Sequence, residues 1–290
     1  MCSFGRYHPL VTFLYYLAVA AVLMLCRDPI LLGLALLVSI LERAVLHHDS
    51  ACAAWAAVII PLSALINAAL SHNGKTVLFF VGDMRITAEA LVYGAAAGAM
   101  IAAMLNVFRS FSNYMTSDRL GCLLGVLSPK LALMLSTALR FVPYLWRRAG
   151  EARLAQRGAG LYRDGSLPER IRGDVRVFYS LAVGAIEDGI ITADSMSARG
   201  YGTGWRTSML RYRFGRRDAL ILIPVALASA VLTAAGVRGC LAYDFYPTLA
   251  APNATPMAVA ARAAFAALLL LPLINDAIEV IRWKYLLSKI

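Results

Sequence analysis

Charge is scarce in this chain. Only 16% of its 290 residues are Asp, Glu, Lys or Arg, whereas soluble domains carry roughly 25%, and that deficit argues against a soluble globular surface. Metal-ligand spacing is missing from the five cysteines, Cys2, Cys26, Cys52, Cys122 and Cys240, so they read as small apolar residues. Cys26 and Cys240 both fall toward the outer face in the span assignment below, which leaves a disulfide between them open. No Gly-x-x-x-x-Gly-Lys-Ser/Thr run occurs, so the chain itself is not expected to hydrolyse ATP. Lys and Arg outnumber Asp and Glu by 28 to 17, yet aromatic-rich basic patches on a soluble fold are lacking and nucleic acid is not an expected partner.

What the chain has in abundance is apolar sequence, 60% of the total. It gathers in runs near the length of about 20 residues that spans a bilayer core: Leu10 to Cys26, Ala51 to Leu70, Ala88 to Val107, Ala219 to Ala235 and Met257 to Ile274. A sixth run, Pro29 to Leu41, is shorter. It spans only if it continues to about Leu46 with Glu42 and Arg43 snorkelling toward the head groups, or if it tilts against thinned lipid. Ala18-Val19-Ala20 resembles a signal-peptide cleavage site, but apolar residues continue past it and further spans follow, so the first helix is expected to stay uncleaved. The fold class expected is an all-α polytopic membrane protein of about six transmembrane helices. Small residues from Gly94 to Ala99 allow close helix approach.

Lysine and arginine are retained in short cytoplasmic loops. With six spans the inner segments are 1–9, 42–50, 108–218 and 276–290, and they hold 23 of the 28 basic residues. This predicts an inner-membrane protein with both termini cytoplasmic, and it explains the formal charge of +11. Three regions follow: 1–107 and 219–290 as membrane helices, and 108–218 as a cytoplasmic helical region with 18 basic and 9 acidic side chains.

Two parts of that middle region are apolar without being good spans. Leu120 to Trp146 carries Lys130 and Arg140, and Val175 to Met196 carries Glu187, Asp188 and Asp194; each such charge at the lipid centre costs roughly 2.5–3.5 kcal/mol. Both read as amphipathic helices at the interface or against protein. Ser128-Pro129 suits a helix start, Pro143 predicts a kink or restart, and Gly158 and Gly160 end the first helix. The second is predicted from about Pro168 or Asp174 to Ser197, ended by Gly200, Gly202 and Gly204, after the linker Arg163 to Pro168. On the outer side, Val77 to Phe80 is a short β-prone run, flanked by turn residues at 72–75 and 81–84. Thr87 is placed to cap the fourth span with Glu89 in its first turn. Neither outer loop is large enough for a receptor domain.

Three chemistries compete for the middle region. Glu187 and Asp194 share a helical face, which allows a divalent-metal site for lipid phosphate chemistry with Asp188. Membrane phosphoalcohol transferases, however, follow Asp-Gly closely with Ala-Arg, and Asp188-Gly189 is followed by Ile190-Ile191-Thr192-Ala193. His47-His48-Asp49 reads as a loop face, because adjacent side chains on a helix diverge by about 100°. A conventional import permease is faintly echoed by Glu151-Ala152 with Gly158, but the Ile-x-Leu-Pro continuation is missing. Arg157-Gly158 and Arg199-Gly200, by contrast, repeat at the ends of two apolar-faced helices. An arginine at a helix C-terminus is ordinarily just complementary to the helix dipole, but two such guanidiniums held rigidly can each pair bidentately with a carboxylate of another protein.

At Ser195-Met196-Ser197-Ala198-Arg199-Gly200-Tyr201 the chain resembles the transmembrane T component of energy-coupling factor transporters. Leu135 to Pro143, Arg153 to Gly158, Asn67 to Gly74 and Thr87-Ala88-Glu89-Ala90 extend the resemblance over most of the chain. The family's first motif usually reads Ala-Arg-Gly, and here Gln156 precedes Arg157. The resemblance implies a non-catalytic scaffold of an ATP-driven importer of vitamins or transition metals such as cobalt or nickel. Two ABC ATPase subunits, which bind the ATP and Mg, would dock at Ala155, Arg157 and Gly158 and at Ala198, Arg199 and Gly200. This chain itself would hold no cofactor, metal or catalytic residue. A substrate-binding membrane subunit would lie on Leu131, Leu135, Phe141, Val175, Tyr179 and Ile186.

Overall fold

A computed structural model describes residues 7–47, 51–71, 74–81, 84–162, 167–204, 212, 214–246 and 253–287. The expected features at His48-Asp49, His72-Asn73, Gly82-Asp83 and Arg163 to Ser166 lie outside these residues, as does Cys2. The order is α1 (Pro9–Leu25), α2 (Pro29–His47), α3 (Ala51–Leu70), β1 (Val77–Val81), β2 (Met84–Thr87), α4 (Ala88–Tyr114), α5 (Ser117–Leu127), α6 (Pro129–Gly158), α7 (Leu167–Ala198), α8 (Arg216–Val237) and α9 (Pro256–Leu287). Among the described residues the fold is all-α apart from one antiparallel hairpin, β1 with β2, which includes the β-prone run Val77 to Phe80. Two compact units divide the chain: residues 1–116 with 213–290, and residues 117–212.

The first unit is a bundle of apolar helices. α3, α4, α8 and α9 each contain a stretch long and apolar enough to cross a membrane, and α1 is a shorter apolar helix of 17 residues. α1 turns Val11, Tyr15, Val19 and Val22 into the core at a spacing of three to four residues, so one helical face is buried against α4 and α8. Leu17, Leu62, Leu65 and Leu227 stay exposed, as lipid-facing side chains do where hydrocarbon is the solvent.

The α3–α4 pair is antiparallel and closely approached. A Cβ on Gly94 would sit 2.7 Å from the Ala64 Cα, and the Asn67 side-chain amide donates to the Ala90 carbonyl at 2.8 Å. Gly94→Leu is therefore expected to push the two backbones apart and to destabilise the bundle by about 1–3 kcal/mol, the usual cost of overpacking. Thermal unfolding in detergent checks it, with Gly33→Leu as the control, since nothing lies within 4 Å of a Cβ there.

Polar groups fasten this apolar frame. Asp218 accepts the Gly215 N–H at the start of α8 and the His8 N–H ahead of α1, both at 2.8 Å. Asp28 Oδ1 accepts the Ile30 N–H at the start of α2, while its other oxygen takes the Arg262 guanidinium of α9 through two nitrogens at 2.7 Å. Thr87 occupies the N-cap of α4, but its hydroxyl makes no cap hydrogen bond. The Glu89 carboxylate turns instead to the Thr76 N–H at 3.1 Å, tying the hairpin entry to α4.

One sequence expectation changes here. α2 does continue past Leu46, but Glu42 and Arg43 do not snorkel: they are 7% and 1% exposed. Ser110 of α4 hydrogen-bonds Glu42, and Asp276 of α9 lies in its electrostatic neighbourhood, with the Tyr114 hydroxyl donating to Asp276 at 3.0 Å. A charged residue drawn into a polar cluster by three helices has no need to reach the head groups. Cys26 and Cys240 are free thiols, so the disulfide left open by the sequence does not form.

Candidate docking helices

The second unit is built from α5, α6 and α7. α6 begins at the Ser128-Pro129 pair, with proline at the first helical position where no N–H is needed. It runs unbroken through Pro143 for 30 residues, so the expected restart there does not occur. At 1.5 Å per residue α6 and the 32-residue α7 are each roughly 45 Å long.

Contacts between the two helices fix their direction. Tyr144 donates to Asp188 at 2.9 Å and Arg148 forms an ion pair with the same carboxylate. Farther along, Arg153 meets Asp174 at 2.9 Å and the Tyr162 hydroxyl reaches Asp174 at 3.3 Å. As α6 is followed forward, its partners on α7 step backward. The helices run antiparallel, and Arg157 and Arg199 lie toward opposite ends of the pair. The Asp188 carboxylate raises the Tyr144 pKa above its ordinary value, so this phenol remains a donor at neutral pH. The Arg148–Asp188 pair is 42% and 30% exposed, and such water-screened pairs contribute at most about 1 kcal/mol.

Both helices end in the same hydrogen-bond pattern. In α7 the Tyr201 N–H reaches the Met196 carbonyl at 3.0 Å and the Gly200 N–H that of Ser197 at 2.9 Å. In α6 the Leu161 N–H reaches Gln156 at 2.9 Å and the Gly160 N–H reaches Arg157 at 3.0 Å. These are Schellman ends, which need a residue in the left-handed region, and Gly200 and Gly160 supply φ of 73° and 69°.

The two Arg-Gly pairs are consequently not equivalent. Arg199 immediately precedes its terminating glycine. Arg157 stands three residues before Gly160, within the last helical turn, and Gly158 is still helical. The difference of two positions rotates one arginine by about 200° relative to the other.

Arg199 is exposed, and no partner to it is found among the described residues. Arg157 is exposed too, but its guanidinium lies over the Tyr162 ring at 5.2 Å. Gln156 turns inward, with Oε1 buried. Ala155, Gly158, Ala198 and Gly200 are all exposed, so each helix end presents an open surface.

The six residues named for a second partner divide. Leu131, Val175, Tyr179 and Ile186 are exposed, and the last three share one face of α7. Leu135 and Phe141 are half-buried; Phe141 packs on Tyr144 and, with Thr137, Ile191 and Thr192, lines a small cavity of about 260 Å³ between α6 and α7. Sequence reading missed Trp146, at 82% the most exposed aromatic among those described, and Phe178 beside Tyr179. Trp146 carries its own signal, a large aromatic directly before Arg147-Arg148. Of the acidic residues, Asp188 is occupied by Arg148 and Tyr144, while Glu187 and Asp194 are exposed. No three His, Cys, Asp or Glu side chains come together as a metal set among the described residues.

No protein-family model matches the chain. Among curated proteins it is similar to the energy-coupling factor transporter transmembrane protein EcfT of Listeria innocua, with 31% identity over 178 residues, 55% of this chain and 65% of that protein. The protein of the same name from Bacillus selenitireducens is 27% identical over 238 residues, 73% of this chain and 85% of that protein. That of Lactococcus lactis is 27% identical over 177 residues, 56% of this chain and 66% of its own length. The chain thus spans just under two thirds of the first and third of these relatives and most of the second. Taken with the multi-helical membrane unit, these similarities support placing the chain with the transmembrane proteins of energy-coupling factor transporters.

Proposed function

We propose that this chain is the non-catalytic scaffold of an ATP-driven micronutrient importer, carrying a vitamin or a transition-metal ion, in the inner membrane with both termini cytoplasmic. Two ATPase subunits, which hold ATP and Mg, dock on the Arg157 and Arg199 ends, and a substrate-binding membrane subunit covers the apolar face of α7. The observation that carries this reading is the antiparallel pair itself, with exposed arginines at two rigidly terminated ends pointing away from one another. Each guanidinium can enter a carboxylate-bearing groove of a separate subunit. A large exposed apolar face, from Ile171 through Val175, Phe178 and Tyr179 to Ile186, fits a protein interface better than a free surface. Closure of two ATPases on nucleotide would move two ends of one rigid helix pair, and a rigid-body motion is what such elements transmit.

Reconstitution tests this. Proteoliposomes holding the chain together with the ATPases and the membrane subunit that co-isolate with it are expected to accumulate substrate only when ATP is supplied. The chain stripped of those subunits is expected to turn over no ATP. ATP hydrolysis by the stripped chain would contradict the scaffold role.

A further inference from the structure

We infer that Tyr162 is a positioning residue for Arg157, clamped by α7, so that the guanidinium offered by α6 is aimed by the other helix. This inference rests on the docking role of Arg157 proposed above.

Tyr162 lies beyond the end of α6, where its N–H returns to the Gln156 carbonyl at 3.1 Å. Its ring does two things at once. One face sits under the Arg157 guanidinium at 5.2 Å, inside the roughly 6 Å within which a cation is drawn to an aromatic face. The ring also fills the space left by the missing side chain of Gly173: a Cβ there would stand 2.5 Å from Tyr162 Cδ2 and 2.8 Å from Cε2. The hydroxyl reaches Asp174 at 3.3 Å, and Asp174 is itself held by Arg153. Arg176 of α7 donates to the Leu161 carbonyl at 3.2 Å. The first turns of α7 therefore grip the segment on which Arg157 rests.

The consequence is directional. A shift of α7 carries the Tyr162 ring with it, and the ring carries the face against which Arg157 is ordered. Arg199 stands directly before Gly200 and has no such aromatic platform among the described residues. The clamp also accounts for a docking arginine set two positions deeper in its helix, since the aromatic platform re-aims a guanidinium that helix geometry alone would send elsewhere.

The test uses the full chain in detergent and the ATPase pair that co-purifies with it, with affinity as the readout. Tyr162→Leu removes the aromatic face, and Tyr162→Phe keeps it. Gly173→Ala drives the ring off from the α7 side although alanine favours a helix. The leucine and alanine variants are each expected to weaken binding by about 2- to 5-fold, the range of an exposed cation–π contact, while the phenylalanine variant stays within 2-fold. In an Arg157→Ala background the Tyr162→Leu change should have no further effect, because the two act as one unit. A purely structural loss would persist in that background and overturns the inference. Wild-type affinity in Tyr162→Leu, with affinity lost in Arg157→Ala, also overturns it and leaves the docking role standing. If Arg157→Ala itself binds like the wild type, or no ATPase co-purifies at all, the docking role fails and the inference falls with it.

Discussion

Arg199→Ala is expected to weaken binding of the ATPase subunits by at least about 30-fold, the equivalent of the 2 kcal/mol or more lost when one partner of a buried charge pair is truncated. The Arg157→Ala loss should be smaller. Arg199 stands directly before Gly200, whose φ of 73° fixes the end of α7, and its guanidinium is exposed. On docking, its charge can be committed wholly to a carboxylate of the partner. Arg157 shares its charge with the Tyr162 ring, so removing it forfeits a contact already divided between two neighbours. Titration of the purified ATPases against each variant gives the comparison directly. Losses in the reverse order would mean that the α6 end is the principal anchor.

The second large effect concerns stability. Arg262→Met is expected to destabilise the membrane bundle by about 3–5 kcal/mol, because it leaves the Asp28 carboxylate charged, 2% exposed and without its ion partner. The cost comes from the stranded charge rather than from the value of the pair. Asp28→Asn added to Arg262→Met should then restore most of the loss, since asparagine can still accept the Ile30 N–H that Asp28 takes at 3.2 Å. Thermal unfolding of the single and double variants in the same detergent measures both. A double variant no more stable than Arg262→Met would show that the ion pair itself supplies the stability.

The parts of the fold written locally in the sequence were legible there. Apolar runs gave the membrane helices, Val77 to Phe80 gave a strand, and Ser128-Pro129 gave the start of α6, because length, β-branching and a missing N–H act within a few residues. Features set by distant partners were not. Arg262 lies within the apolar run Met257 to Ile274, and its counter-charge, Asp28, is 234 residues away. Snorkelling of Glu42 and Arg43 is one of the two ways in which so short a run can span, and their burial is not legible locally because Ser110 and Asp276 are remote in sequence.

Subtler still is the choice of terminating glycine. Gly158 and Gly160 are equally able to adopt left-handed angles, and only the hydrogen bonds to Gln156 and Arg157 select Gly160. That selection is what makes the two arginine motifs geometrically unequal despite their shared lettering. Pro143 predicts a kink or a restart because it removes one helix hydrogen bond; α6 continues through it, which removes the restart, and is joined to α7 by the Tyr144–Arg148–Asp188 contacts one and five residues later.

If two arginine-bearing helix ends each hold an ATPase subunit, the stoichiometry of the complex purified in mild detergent follows, with the wild type beside the Arg157→Ala, Arg199→Ala double variant. Two ATPase subunits are expected per wild-type chain and none on a double variant that retains its thermal stability. Two ATPases held as firmly by the double variant as by the wild type would contradict that docking role.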